Sequence, residues 1–122
     1  MGDTYIRNLL EQTLDSYKIL IELRDEPEDL ITIKQEVGKI HGLVQVTINK
    51  IEKSGNNSDS VSEFLDAAQS YLRDYSFNHE IYTVLESYPE DSHRIKNIRL
   101  VIVKALERSG VIPKAEELLR LL

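Results

Sequence analysis

The fold is decided by residues 28–53, EDLITIKQEVGKIHGLVQVTINKIEK, in which apolar residues recur every three or four positions. This spacing places them on one face of a helix, and it continues without a phase break for about six to seven turns. The apolar face consists of Leu30, Ile33, Val37, Ile40, Val44, Ile48 and Ile51. Residues 43–48 alternate and are rich in β-branched side chains, so a strand is the alternative there. The unbroken apolar face favours a single long helix.

The same helical period is found on both sides of this stretch, between segments that are typical of loops. Residues 54–59 are rich in glycine, asparagine and serine, and Pro89 and Gly110 end later apolar patterns. Main helices are predicted at about 5–24, 28–53, 60–88 with a break near 76–78, and 92–109, followed by a short C-terminal helix at 113–122. Because short loops join antiparallel neighbours, the sequence predicts one all-α domain over residues 1–122. Its expected architecture is an antiparallel bundle of four main helices plus the short C-terminal helix.

Composition restricts the class of protein. The chain of 122 residues has no cysteine, which excludes a disulfide framework, a cysteine-based zinc site and thiol catalysis. The N-terminal MGDTYIRNLLEQ has no basic region followed by an apolar one, and no apolar run approaches the ~20 residues of a membrane span. We therefore expect a cytoplasmic protein without a membrane segment. The three histidines have no metal-binding spacing, so neither a metal nor another cofactor is expected.

Charge is distributed unevenly along the chain. The formal net charge of −6 disfavours nucleic acid as a partner, because affinity for nucleic acid rests mainly on phosphate neutralisation. Residues 61–92 carry seven acids and one base, whereas residues 93–122 carry seven bases and three acids. The candidate basic patch consists of Arg94, Lys96, Arg99, Lys104 and Arg108. Such a patch would bind an acidic partner or RNA, or it would pack beside acidic neighbours within the bundle.

The helix predicted at 92–109 is apolar on more than one side. Leu100 and Val103 lie opposite its main apolar face, and a helix of this kind is either central in its bundle or covered by something else. The leucine-rich residues 111–122 would provide the cover from within the chain. Alternatively they would form a patch for another protein or for a second copy in a homodimer. The candidate partner or oligomer interface consists of Leu100, Val103, Leu118, Leu119, Leu121 and Leu122.

One segment resembles a catalytic signature. Residues 73–79 read RDYSFNH, with an arginine followed a few positions later by a histidine. This arrangement resembles the signature of the HEPN ribonucleases, which are all-helical domains of similar size. The resemblance implies that Arg73 stabilises phosphate charge and that His79 acts as general acid or base on RNA. Arg73 and His79 are candidates only under this alternative interpretation, and no catalytic residue is predicted otherwise.

Two features of the long second helix call for a structural interpretation. His41 lies at the edge of its apolar face and is predicted to be a partly buried structural histidine. Gly38 and Gly42 each cost about 1 kcal/mol relative to alanine in a helix, so we expect a reason for both. Tight packing inside the bundle is the preferred explanation, and a face for self-association or for a partner is the alternative.

The function predicted from these patterns is that of a non-enzymatic, cytoplasmic protein-protein interaction module. The sequence has no nucleophile elbow, phosphate-binding loop or metal cluster, and its acidic surface suits a basic protein partner. A regulator, an inhibitor or immunity-type protein, or a chaperone would act through that acidic helical surface and the apolar C-terminal patch. The alternatives are a small ribonuclease that uses Arg73 and His79, and a helical subunit of a nucleoprotein complex.

Overall fold

A computed structural model describes the backbone from residue 2 to residue 122 and the side chains from residue 4 onward. The helices are α1 (Gly2–Glu22), α2 (Asp29–Ser54), α3 (Asp59–Asp74), α4 (Asn78–Ser87), α5 (Ser92–Arg108) and α6 (Val111–Leu121). There is no strand between residues 2 and 122, so the all-α prediction is confirmed. Residues 43–48 belong to α2, which confirms the helical interpretation of that stretch over the strand.

The predicted apolar face of α2 forms the centre of the core. All of its seven residues are buried, and α1 packs along α2 more extensively than any other pair of helices does. The largest fully buried side chains on the other helices include Leu10, Leu20, Phe64, Tyr71, Ile95, Ile102 and Leu106. The periodicity in the sequence therefore identifies the buried face correctly, because one helical stripe has to be covered by its neighbours.

Local sequence explains where the helices begin and end. The Ser58 hydroxyl accepts a hydrogen bond from the Val61 amide at the start of α3, and the Asp91 carboxylate accepts one from the Arg94 amide at the start of α5. Gly110 has φ of 87°, a left-handed conformation that favours glycine. The chain therefore turns at Gly110, and α6 begins at Val111 rather than at the predicted residue 113.

A buried ion pair joins α5 to the end of α1. Arg99 donates from Nε to Asp25 Oδ1 at 2.6 Å and from Nη2 to Oδ2 at 3.1 Å, which is the bidentate geometry of a strong pair. Its Nη1 donates to the carbonyl oxygens of Leu20 at 3.2 Å and Ile21 at 3.3 Å, which lie in the last turn of α1. The hydrogen bonds to Asp25 raise the pKa of Arg99 above its usual value. Arg99 therefore has a structural role in tying the two helices together.

The two glycines of α2 do not lie at a close approach of two helices. A methyl group placed on Gly38 or Gly42 would meet no heavy atom within 4 Å outside the local helix backbone. The prediction of tight packing at these positions is wrong, because both face outward. None of the helices between residues 2 and 122 combines the length and the apolar character needed to cross a membrane.

Candidate functional site

The leucine-rich C-terminus largely covers the protein's own core. The side chains of Val103 and Leu118 are buried, and those of Leu100, Leu119 and Leu122 are half-buried. Leu121 is 64% exposed and is the open member of the predicted interface. The predicted apolar patch therefore does not form as a continuous open surface, because α6 packs its apolar face against α1, α3 and α5.

The predicted basic patch is divided by the structure. Arg99 is buried in its pair with Asp25, so it is not part of any open basic surface. Lys96 is exposed but lies on a different side of α5 from Arg94, Lys104 and Arg108. The other cations share a line of exposed residues with helical spacing, which we call the α5 basic face: Arg94, Asn97, Val101, Lys104 and Arg108.

Shallow depressions lie on both sides of Val101, which is 53% exposed. One, of about 250 Å³, is formed by Glu80, Val84, Arg94, Asn97, Ile98 and Val101. The other, of about 210 Å³, is formed by Tyr75, Val101, Lys104, Ala105 and Arg108. Val101 belongs to both, so the α5 basic face carries an apolar centre with cations at both ends.

The cations at the two ends of the α5 basic face differ in their partners. Arg94 lies over the Tyr88 ring, with Cζ 3.7 Å from the ring centroid, and its Nε is 3.4 Å from Asp91 Oδ2. Lys104 and Arg108 form no ion pair with any residue between 4 and 122. The C-terminal end of the face is therefore positively charged and uncompensated.

The residues of the ribonuclease-like segment are not brought to one cleft. The Arg73 side chain is 71% exposed, and its Nε donates to Asp74 Oδ1 at 2.9 Å. This hydrogen bond raises the pKa of Arg73 and lowers that of Asp74. His79 instead lies in a hollow between α2 and α4 that Arg73 does not line. The guanidinium that the resemblance assigns to phosphate is thus committed to a neighbouring carboxylate.

The hollow that contains His79 has a volume of about 390 Å³, and we call it the α2–α4 hollow. Its walls are formed by Lys34, Asn78, His79, Ile81, Tyr82 and Leu85. Sequence reasoning selected only His79 from this group. The remaining members lie on two helices far apart in the chain, and no local pattern joins Lys34 to α4. The 62% exposure of Tyr82 is the unusual feature, since a large aromatic side chain is usually more covered.

His41 and Tyr71 lie against each other between α2 and α3, with Tyr71 buried and His41 half-buried. Their ring centroids are 5.1 Å apart, and neither His41 Nε2 nor the Tyr71 hydroxyl has a hydrogen-bond partner among the described residues. Burial lowers the pKa of His41 and raises that of Tyr71. The half-buried His41 agrees with the prediction of a partly buried structural histidine. No cluster of three or more metal-binding side chains is found in the part of the chain that the structure describes.

The burial of His41 predicts how stability depends on pH. Because the pKa of His41 is lowered in the folded state, the unfolded chain binds the proton first as the pH falls. Neutral His41 makes its full contribution to the free energy of unfolding above its pKa in the unfolded chain, about 6.5. This contribution is lost as the pH falls through the lower pKa of His41 in the folded state. The free energy of unfolding, measured in urea, should therefore fall more between pH 7.5 and pH 5 for wild type than for His41→Phe. His93→Asn, at an exposed position, is the control and should follow wild type. Equal pH dependence of wild type and His41→Phe would contradict this account.

Comparison with known proteins gives no relative for this chain: no protein-family model matches its sequence, and neither a curated protein nor a solved structure matches it.

Proposed function

We propose that this protein is a non-enzymatic binding module that holds an acidic segment of a partner protein on the α5 basic face. The observation that carries the proposal is the pair of uncompensated cations, Lys104 and Arg108, beside the exposed Val101. The whole chain has a net charge of −6, so this face is of opposite sign to the molecule as a whole. A basic partner, expected from the acidic composition, would be repelled here.

The spacing along α5 indicates what kind of segment would fit. Arg94 and Arg108 are fourteen positions apart, which corresponds to about 20 Å of helix. An amphipathic partner segment of roughly four turns would span this length, with an apolar side chain on Val101 and its carboxylates near Lys104 and Arg108, since Arg94 is already paired with Asp91. The charges would speed the encounter and fix the orientation, while the contact at Val101 would supply buried apolar area.

Two observations favour an acidic protein segment over RNA. The centre of the face is the apolar side chain of Val101, which is 53% exposed and suits an apolar side chain of a protein segment better than a phosphate backbone. The guanidinium of Arg94 covers one side of the Tyr88 ring, which limits the stacking of a base there. We also propose that the helices form the antiparallel bundle expected from the sequence, since such a bundle would leave one long side of α5 uncovered. The cytoplasmic location expected from the sequence is part of the same proposal.

Charge reversal on this face should abolish partner capture. We expect Lys104→Glu combined with Arg108→Glu to weaken binding of the partner by at least roughly tenfold, because attraction is replaced by repulsion. The measurement is affinity capture from lysate of the source cells, with a photoreactive amino acid at position 101 that crosslinks the bound segment. Lys39→Glu combined with Lys53→Glu, two exposed lysines of α2, is the matched control.

Wild type and the α2 control should crosslink the same acidic segment at position 101, and the α5 variant should lose it. The proposal fails if the α5 variant retains the partner, if the crosslinked species is RNA or a basic segment, or if wild type captures nothing.

A further inference from the structure

The α2–α4 hollow has the size and lining of a small-molecule site. Its volume of about 390 Å³ lies within the range of about 300–1,000 Å³ that is usual for ligand pockets. It corresponds to the space of roughly a dozen water molecules, and hence to a ligand with one or two rings. Ile81, Tyr82 and Leu85 contribute apolar lining, and the polar residues Lys34, Asn78 and His79 line the same space. A few polar groups on an apolar lining is the usual composition of such sites.

The charge of the lining determines the sign of the ligand. Lys34 forms no ion pair with any residue between 4 and 122, and no carboxylate is among the residues that line the hollow. Asn78 can donate hydrogen bonds from its amide, and His79 can donate from its ring. All polar groups of the hollow can therefore act as donors, and the charged one is a cation. An anionic ligand is favoured over a cationic or a neutral one.

From this juxtaposition we infer that the α2–α4 hollow binds a small aromatic carboxylate. The carboxylate pairs with the Lys34 ammonium and accepts hydrogen bonds from Asn78 and His79. The ring system lies against Ile81 and Leu85, and the exposed ring of Tyr82 covers it at the mouth. This site is separate from the α5 basic face, since Lys34, His79 and Tyr82 line neither depression beside Val101.

A pair of probes that differ only in charge tests the inference. We expect 2-naphthoate to perturb the backbone amide resonances of residues 34 and 78–85 in ¹H–¹⁵N correlation spectra, in a saturable manner. The neutral 2-naphthamide should bind at least roughly tenfold more weakly, because it lacks the charge that pairs with Lys34. Lys34→Met should reduce naphthoate affinity to the level of the amide, and Lys34→Arg should retain most of it.

Lys39→Met is the matched control, because Lys39 is exposed on the same helix and does not line the hollow. Equal affinity of wild type for the acid and the amide would overturn the inference, as would an unchanged affinity in Lys34→Met. Perturbations that centre on Lys104 and Arg108 would also overturn it, since they would indicate general attraction of anions to the α5 basic face. None of these results depends on partner capture by α5, so the two proposals fail separately.

Discussion

Replacement of Arg99 by alanine is expected to lower the free energy of unfolding by about 3–5 kcal/mol, which is the usual cost of removing one member of a buried ion pair. The side chains of Arg99 and Asp25 are only 11% and 16% exposed, so solvent can replace only part of the lost interaction. The substitution would leave the Asp25 carboxylate unpaired and would remove the donor to the carbonyl oxygens of Leu20 and Ile21. Such a loss is a large fraction of the total stability of a domain of this size, which is about 5–15 kcal/mol.

The chain provides a matched control on the same helix. Arg94 is also paired with an aspartate, Asp91, but those side chains are 49% and 41% exposed. The exposed pair and the contact with the Tyr88 ring each contribute at most about 1 kcal/mol, so Arg94→Ala should cost clearly less than Arg99→Ala in the same urea unfolding experiment. Arg99→Lys should lie between the two, since lysine keeps the charge but cannot form the bidentate contact. Equal losses for Arg99→Ala and Arg94→Ala would show that the buried pair has no special role.

The contrast between these arginines marks a limit of sequence reasoning. Both occur in a helix rich in lysine and arginine, and the sequence assigned both to one basic patch. What distinguishes Arg99 is Asp25, which lies 74 residues away in the loop after α1. Asp25 adopts a left-handed conformation with φ of 65°, which aspartate tolerates better than most residues. No pattern within α5 contains that information, because it depends on how α1 and α5 pack.

Features with a local cause were more predictable. The apolar stripe of α2 and the breaks between helices follow from periodicity and from turn residues, so the helical class could be predicted from the sequence. The predicted helix 60–88, with its break near 76–78, is two separate helices in the structure, α3 and α4. The α2–α4 hollow could not be predicted from the sequence, since Lys34 and Tyr82 come together only through tertiary packing. The segment that resembles a ribonuclease signature did lead to His79. In the structure, however, His79 shares the hollow with Lys34 rather than with Arg73.

The C-terminal segment shows how one backbone position changes the interpretation of a whole helix. The sequence indicates that α6 is amphipathic but leaves open whether its apolar face meets its own chain or a partner. Gly110 decides this, because its left-handed conformation at φ of 87° directs α6 back across the molecule. A Cβ at Gly110 would lie 3.5 Å from the Cβ of Ala67 on α3, so the turn is also close to α3. The leucines that could have formed an open patch, apart from the exposed Leu121, are thereby buried or half-buried against the protein's own core.

A chain that ends at Gly110 should consequently fail to fold, instead of merely losing an interface. Val111, Ile112, Ala115 and Leu118 are buried, and each of the three larger side chains contributes roughly 1.5–3 kcal/mol on burial. Their removal would cost about 5–9 kcal/mol and would also expose the surfaces of α1, α3 and α5 that α6 covers. That loss is comparable to the whole stability of a typical domain of about 5–15 kcal/mol. Circular dichroism should show no cooperative thermal unfolding of the truncated chain.

Two single substitutions on α6 separate loss of the core from loss of a surface. Leu118→Asp buries an unpaired charge at a position that is 3% exposed, and it should be as damaging as the truncation because a buried charge without a partner is strongly destabilising. Leu121→Asp, three residues later, is largely solvated and should change the free energy of unfolding by less than about 0.5 kcal/mol. If α6 were instead an interface for a second copy, the two variants would fold alike and Leu121→Asp would lower the mass in light scattering. A truncated chain with a sharp unfolding transition would likewise contradict the assignment of α6 to the core.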